Sequence, residues 1–271
     1  MRLKDLLKSK LTEKQMEKLP NAYDIIGDIL IIDLDPILKK KEKLIAETLL
    51  KTHPNIKVIC KKQDMRKGKY RTQKLSILAG EKRKETIYRE SGVMLKLNVE
   101  TSYFSPRSAN ERIRICKQVK KGESILAMFS GIAPLPVVLA KNTQAKKIIG
   151  IELNPKAHAY ALENLRLNKI TNVGLINEDV KKANLNQKFD RILMPLPKTG
   201  EEFLPLALGY SKKGAVIHYY AFLKEEEFEN EKEKIKQICM ANKKNCSILD
   251  IVKCGHYKPY VYRTCVDIKI L

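Results

Sequence analysis

The sequence predicts an α/β protein: a Rossmann-like domain over residues 103–271, preceded by an N-terminal helical segment (1–18) and a small, basic α+β domain (19–102). Arg191-Ile192-Leu193-Met194-Pro195-Leu196-Pro197-Lys198 is an apolar run that stops at two prolines. That is the pattern of a buried parallel strand whose last backbone groups are released into an irregular turn at the sheet's carboxyl edge. From Tyr103 onward, strand-like and helix-like segments alternate, the signature of a parallel sheet. Phe129-Ser130-Gly131 and Ile151-Glu152-Leu153-Asn154-Pro155 fall at the same sheet edge, where open α/β sheets bind their ligands.

Taken in order, residues 3–19 carry apolar side chains at helical spacing (Leu6, Leu7, Leu11, Met16, Leu19) and read as one or two short helices. Residues 23–33 read as two short strands around Gly27, 44–52 as a helix, and 56–60, 75–80, 85–90 and 95–99 as strands. In the second domain the expected strands are 124–129, 147–153, 173–177, 191–195 and 215–222. Residues 248–253 and 261–270 follow without an intervening helix, so they should form an antiparallel hairpin that closes the sheet. Five parallel strands with a terminal antiparallel pair are the architecture of class I methyltransferases.

A chain of 271 residues with 44% hydrophobic content can bury an ordinary core. It has no run of eighteen apolar residues, and Met1-Arg2-Leu3-Lys4-Asp5 lacks the apolar centre of a signal peptide, so a soluble, cytoplasmic protein without a membrane partner is expected. The net charge is +22, and between residues 39 and 84 there are sixteen Lys/Arg against four Asp/Glu. Such a surplus attracts phosphate backbones and favours a nucleic-acid partner over a general lysine bias. The six cysteines form no CxxC pair and no zinc spacing with histidine, so free thiols and no metal are expected; a disulfide or metal among Cys239, Cys246 and Cys254 is the lesser alternative.

The strand ends suggest a cofactor. Small residues after the first strand, at Ser130 and Gly131, let a ligand approach the backbone and the start of the next helix. Glu152 ends the second strand, where an acidic side chain accepts hydrogen bonds from ribose hydroxyls. Asn154-Pro155 then caps a helix. Glu178-Asp179-Val180 ends the third strand, where an acceptor can receive an adenine amino group. A G-x-G-x-x-G fingerprint and a P-loop are both missing, which argues against NAD and FAD. S-adenosyl-L-methionine has no phosphate and fits best.

Asp24-Ile25-Ile26-Gly27-Asp28, the Arg71 region, Tyr103-Phe104-Ser105-Pro106-Arg107, Asn110-Glu111-Arg112 and Ile217-His218-Tyr219-Tyr220 join the strand-end motifs in a wider pattern. Over most of the chain, from about residue 19 onward, it resembles the archaeal and eukaryotic family of tRNA (guanine-37 N1)-methyltransferases. The resemblance implies that G37 of an anticodon stem-loop is flipped out and methylated at N1. It implies Glu111 as general base, Arg71 as the group that stabilises the developing charge on O6, and Tyr103 and Arg107 as pocket residues. Phe129, Gly131, Glu152, Asn154, Asp179 and Val180 would hold the cofactor together with Tyr103, Pro195 and Pro197, with the chemistry beside Pro195. On residue type alone, Arg71 reads equally as a phosphate contact in a basic run, and Glu111 as the partner of Arg107 or Arg114 on a helix face.

Three departures qualify the resemblance. Pro195 stands where many members have Asn, and the Pro-Leu-Pro form looks like the archaeal subgroup linked to wyosine formation, some of whose enzymes also methylate C7 of 4-demethylwyosine. Ala127 replaces a common Asp in the first strand. Almost nothing precedes the Asp24 motif, so the domain that touches the tRNA elbow is expected to be missing and reliance on the basic surface over residues 39–84 to be greater. The rival readings are the related aminocarboxypropyl transferase of wybutosine synthesis and a non-catalytic RNA-binding protein. Nothing in the sequence demands a dimer, so a monomer is expected.

Overall fold

The computed structural model describes residues 3–66 and 68–271; Met1, Arg2 and Lys67, one of the sixteen cations counted above, lie outside the described residues. Two compact units emerge, one of Met1–Arg89 and Met94–Pro106, the other of Glu90–Val93 and Arg107–Leu271.

In the first unit, helices α1 (Leu3–Leu7) and α2 (Glu13–Glu17) precede strands β1 (Asp24–Ile26) and β2 (Ile29–Ile32). Thr12 starts α2 with a capping box, its hydroxyl accepting from the Gln15 N–H while the Gln15 side chain accepts from the Thr12 N–H. Helix α3 (Glu42–Thr52) follows, then β3 (Val58–Lys62), β4 (Leu75–Gly80), β5 (Glu85–Glu90) and β6 (Val93–Asn98). Strands β1 to β4 form one sheet in sequence order, with β2 and β3 parallel and the outer pairs antiparallel; β5 and β6 form a separate two-stranded sheet. Leu30, Ile32 and Ile59 of the sheet pack on Leu38, Ile45 and Leu49, with Leu7 and Leu19 closing the same core.

The Asp24–Asp28 motif is explained here by the chain's need to turn. Gly27 has φ +59°, and a Cβ at that position would run into the Thr86 hydroxyl and the Ile87 carbonyl. The next residue, Asp28, accepts from Arg83 Nη1 (3.0 Å) and Nη2 (2.5 Å) and from Thr86 Oγ1 (2.7 Å), and its backbone N–H donates to the same hydroxyl (3.2 Å). These bonds tie the β1–β2 turn to β5. The Arg83 bond, above all, holds the Asp28 carboxyl below the ordinary carboxylate range despite its partial burial.

The second unit opens with α4 (Ala109–Gln118) and continues β7 (Ser124–Met128), α5 (Pro134–Asn142), β8 (Lys147–Glu152), α6 (Pro155–Leu167), β9 (Val173–Asn177) and β10 (Phe189–Met194). Then come α7 (Leu204–Tyr210), β11 (Ser211–Leu223), α8 (Phe228–Ala241), β12 (Cys246–Lys258) and β13 (Val261–Ile270). The seven strands lie in the order β12-β13-β11-β10-β7-β8-β9. Strands β7 to β11 are mutually parallel, and β13 and β12 add the antiparallel hairpin at one side. The chain leaves β7 first toward β8 and β9, then returns to the other flank with β10 and β11. The switch point therefore lies between β7 and β10.

Alternation along the strands builds two apolar layers. Leu126, Met128, Ile192 and Met194 face a core completed by Leu204 and Leu208 of α7 and Ile235 and Cys239 of α8. Ile125, Ala127 and Leu193 face the other way, onto Ile115 of α4 and Leu139 of α5. Ala127, the departure from the family pattern, is thus a packing residue among the apolar side chains of this face. Several strand boundaries differ from expectation by one or two residues, and three differences have a clear form. The first strand stops at Met128 because Phe129 turns left-handed (φ 58°), and β11 and β12 extend well past their expected ends. All six cysteines are free thiols.

Gly27→Ala is expected to destabilise the protein by about 2 kcal/mol or more, because the new methyl meets both strain and a collision. Urea unfolding measures it; a loss under about 0.5 kcal/mol, the scale of an inert surface change, would contradict the steric account.

Candidate active site

The carboxyl edge of the parallel strands carries a backbone that is strained in a regular way. Phe129, Gly131 and Ala133 all have positive φ (58°, 58° and 62°), and two of the three are not glycine. At Phe129 and Ala133 such conformations cost about 1–2 kcal/mol each and persist where the surroundings hold them. Here Ser130 N–H donates to the Ile151 carbonyl (2.8 Å), Gly131 N–H to Glu152 Oε2 (2.7 Å) and Ala133 N–H to the Ser130 carbonyl (2.9 Å). Pro134 then begins α5 at a position where no donor is lost. The Phe129 ring stands edge-on to Phe203 at 4.8 Å between centroids, and the Lys181 ammonium lies 4.8 Å from the Phe203 ring.

Glu152 closes the strand beside this loop. Its second oxygen, Oε1, accepts from the Asn154 N–H (2.7 Å), so each oxygen takes one backbone donor and keeps further acceptor capacity. Burial raises its pKa above the ordinary value, against the lowering effect of the backbone bonds. The Asn154 side chain is buried and accepts from the Lys156 N–H (3.0 Å), starting α6. At the end of β9, Asp179 Oδ1 accepts from the Lys181 N–H (3.0 Å) while its carbonyl accepts from the N–H groups of Lys182 and Ala183. Val180 is buried in the apolar layer behind it. Across the switch point, Pro195 and Pro197 form the half-buried turn after β10, with the Leu196 N–H donating to the Met194 carbonyl (2.7 Å).

This edge fits S-adenosylmethionine on the chemistry of its donor set. Acidic acceptors stand at two successive strand ends, a left-handed loop leaves the backbone open to close approach, and aromatic rings flank it. The Ser130 hydroxyl, buried beside this loop over Gly150, has no hydrogen-bond partner.

A second constellation lies under α4. Glu111 is 7% exposed and accepts from Arg114 twice (Nε to Oε2 2.7 Å, Nη2 to Oε1 2.8 Å) and from the Tyr220 hydroxyl at Oε1 (2.6 Å). Burial alone would raise its pKa, but the hydrogen bonds from Arg114 and Tyr220 and the Arg114 charge outweigh it and leave the carboxyl below the ordinary range. The pairing with Arg114 weighed from the sequence is therefore present. Arg114 also grips Asp267, with Nη1 to Oδ2 at 2.6 Å and Nη2 to Oδ1 at 3.1 Å, and Gln118 donates to Asp267 Oδ2 (2.9 Å). His218 completes the set, its Nδ1 2.6 Å from Asp267 Oδ1 and its Nε2 2.6 Å from Arg191 Nη1. Arg191 is held in turn by Glu123 (2.8 and 3.1 Å).

The tautomer of His218 follows from its neighbours. A guanidinium only donates, so Nε2 accepts from Arg191 and Nδ1 carries the proton given to Asp267. Burial holds its pKa below the ordinary value. His218, Cys265 and Asp267 lie close enough together to suggest a metal site, but both ring nitrogens are engaged and two guanidiniums face the group, which leaves no room for a cation.

Arg71 belongs to the first unit. It has φ +52°, and its guanidinium lies 5.0 Å from the centroid of the Tyr103 ring, with Arg66 at 4.5 Å from the same ring. Arg107 lies in the short 3-10 turn before α4. The structure thus gathers the strand-end residues at one edge, Glu111 with Tyr220, and Arg71 with Tyr103. Sequence reasoning missed Asp267 and gave no role to His218, Arg191 or Tyr220. The signal for Asp267 was faint: a carboxylate between the apolar Val266 and Ile268 in a strand that also carries Arg263 and Lys269. No described helix is long and apolar enough to cross a membrane.

Comparison with known proteins places these features. The TRM5/TYW2 methyltransferase domain matches residues 86–249, and the TYW2 N-terminal domain matches residues 3–83. The chain is 38% identical to the tRNA (guanine(37)-N(1))-methyltransferase Trm5b of Pyrococcus abyssi, over 93% of this chain and 76% of that protein. It is 36% identical to the tRNA (guanine(37)-N(1))/4-demethylwyosine(37)-methyltransferase Taw22 of Nanoarchaeum equitans, over 80% and 88%. It is 31% identical to the tRNA(Phe) (4-demethylwyosine(37)-C(7)) aminocarboxypropyltransferase of Pyrococcus horikoshii, over 99% and 96%. The crystal structure of P. horikoshii TYW2 in complex with MeSAdo superposes with a TM-score of 0.84 at 30% identity, covering 100% of this chain and 98% of that one.

The buried neutral His218 makes stability depend on pH. Its folded pKa lies below the ordinary value of 6.5, so below that pH the unfolded chain takes up a proton that the folded chain refuses, and stability falls as the pH is lowered. Urea unfolding between pH 7 and 5 should show His218→Asn, which keeps a donor toward Asp267, flattening this slope by up to about 1.4 kcal/mol per pH unit. An unchanged slope would assign the acid sensitivity elsewhere.

Proposed function

Because the chain belongs to the TRM5/TYW2 methyltransferase family, we propose that it is an S-adenosyl-L-methionine-dependent tRNA methyltransferase that forms N1-methylguanosine at position 37. The observation that carries this reading is the pairing, in one unit, of a strand edge suited to a nucleoside cofactor with an ionised carboxylate held under α4. Bound S-adenosylmethionine supplies a methyl group on a positively charged sulfur, which departs with its electron pair as a neutral thioether.

The chain's own residues do the rest. Glu152 accepts the ribose hydroxyls with the acceptor capacity its two backbone bonds leave. Phe129, Gly131, Asp179 and Val180 form the walls and polar contact of the adenosine site, with Asn154 ordering the start of α6 beside it. The guanine N1 carries a proton at neutral pH, so its lone pair is unavailable until a base removes that proton. Glu111 takes it, and its low pKa keeps it in the ionised form that can do so. Negative charge then moves to O6 and needs a cationic partner, the role that the family resemblance gives to Arg71, whose guanidinium lies over Tyr103. Arg107 and the Pro195–Pro197 turn shape the pocket for the flipped base. The protein acts as a cytoplasmic monomer on the anticodon stem-loop, drawn by the cationic surface over residues 39–84.

Two observations support wider readings. Pro195 stands where the family resemblance implies an Asn amide, and the Taw22 relative is named for both guanine and 4-demethylwyosine, which favours a second, C7 methylation. The TYW2 N-terminal domain match and the aminocarboxypropyltransferase relative favour transfer of the other sulfonium substituent. Nucleoside mass spectrometry decides, using tRNA-Phe carrying either unmodified G37 or 4-demethylwyosine. One methyl on guanine is the expected product. An added methyl on 4-demethylwyosine as well establishes both activities, and an aminocarboxypropyl mass, or no product from either, overturns the proposal.

Glu111→Gln should lower the single-turnover rate about 10²- to 10⁴-fold, the usual reach of general-base catalysis, with cofactor affinity unchanged. Glu152→Ala should do the reverse, weakening cofactor binding about tenfold or more by calorimetry, the loss of about one charge-assisted hydrogen bond. Equal effects of the two on both quantities would contradict the division of roles.

A further inference from the structure

The proposed base does not stand alone in its pocket. It is the end of a largely buried line of charge-assisted hydrogen bonds, Glu123–Arg191–His218–Asp267–Arg114–Glu111, that crosses from β10 through β11 and β13 to α4, with Arg114 half-buried. Arg114 is shared: one fork edge serves Glu111 (2.7 and 2.8 Å), while the other serves Asp267 (2.6 and 3.1 Å). Asp267 is 2% exposed and saturated by donors from Arg114, Gln118 and His218, so it cannot move away. A guanidinium divided between two carboxylates gives each of them only part of its charge.

We propose that Asp267, locked by His218 and Gln118, positions Arg114 and thereby sets how strongly the Glu111 carboxylate binds a proton, which makes Asp267 and Arg114 positioning residues for methyl transfer. This rests on the reading of Glu111 as the base. With Asp267 present, Arg114 orients the carboxylate and keeps it ionised without silencing it as a base. Without Asp267, the whole cation falls on Glu111, which holds its proton less and takes the N1 proton more slowly. Without Arg114, the burial of Glu111 is uncompensated, and the carboxyl becomes protonated nearer neutrality.

The groups that face Glu111 are few. From α4 there is Arg114, from β11 the Tyr220 hydroxyl, from β12 Cys254, and from β13 Cys265 and Asp267. Burial pushes both thiols and the tyrosine up, so none of them ionises near neutral pH, and His218 stays neutral behind Asp267. The charge that tunes Glu111 is therefore that of Arg114 and Asp267.

The test is the single-turnover rate of methyl transfer to a G37 tRNA transcript, followed from about pH 5 to 8 with the full chain and saturating S-adenosylmethionine. Arg114→Met should bring an acid limb up into the range of about pH 5–7, where the unchanged protein has none. Arg114→Lys, which restores a cation, should return the limb toward the unchanged profile. Asp267→Asn should lower the plateau about tenfold without raising a limb, and this loss should vanish in the Arg114→Met background, because it acts through Arg114. Calorimetric cofactor affinity within about twofold of the unchanged protein identifies variants that are folded, and Arg114→Gln, which also removes the cation, serves if Arg114→Met is not. A flat profile in a folded Arg114 variant that lacks the cation, or rate losses that simply multiply in the double variant, would overturn the proposal. Retention of full turnover by Glu111→Gln would instead overturn the assignment of the base, a separate outcome.

Discussion

The division of one guanidinium between two buried carboxylates is the interaction on which the second unit's site depends. Burying the carboxylates of Glu111 and Asp267 without a cation would cost several kcal/mol per charge, and the half-buried Arg114 compensates both. Paired, they fasten α4 to the last strand of the sheet, across 153 residues of sequence. The position of Glu111 is therefore fixed only once β13 has been added. Arg112, next along α4, repeats the device with a bidentate pair to Glu90 (2.5 and 2.6 Å). The helix that carries Glu111 is held by salt bridges on two sides, with Ile115 buried between α4 and the sheet.

The cofactor edge solves a different problem. Parallel strands end in carbonyls and side chains that point the same way, and the switch between β7 and β10 opens a crevice there. Reaching a ligand from that crevice takes a backbone that turns left-handed at Phe129, Gly131 and Ala133. Glu152 holds the strained loop through Gly131 and keeps acceptor capacity for a ligand. The same carboxylate is thus a structural tie and, in the proposed reading, the ribose acceptor, which would order the loop and the ligand contact together.

Much of this was legible in the sequence because it is local. The proline pair after an apolar run marked β10, small residues after a strand marked the loop at Ser130 and Gly131, and Asn154-Pro155 marked the start of α6. Two adjacent late strands without a helix between them marked the antiparallel hairpin. The end of β7 was read one residue long, because nothing in a phenylalanine announces positive φ. Asp267 was not legible at all. Its partners on α4 lie 149 and 153 residues away and His218 on β11 lies 49, and only the closed sheet brings them together. Glu111 stood between two readings, ion-pair partner and base, and the fold makes it the first while leaving it equipped for the second. Gly27 and Asp28 were read as part of a family pattern; their physical reason, a turn wedged against Thr86 and clamped by Arg83, needed β5 in place.

The most direct test of this account is the protonation state of Glu111 in the folded protein, read from the carboxyl carbon resonance of ¹³C-labelled glutamate as the pH is lowered, with Glu111→Gln giving the assignment. Held by Arg114 and Tyr220, Glu111 should stay ionised until the pH falls below the ordinary glutamate value of 4.5. A midpoint above that value would mean that burial dominates, and that the shared guanidinium does not govern the site.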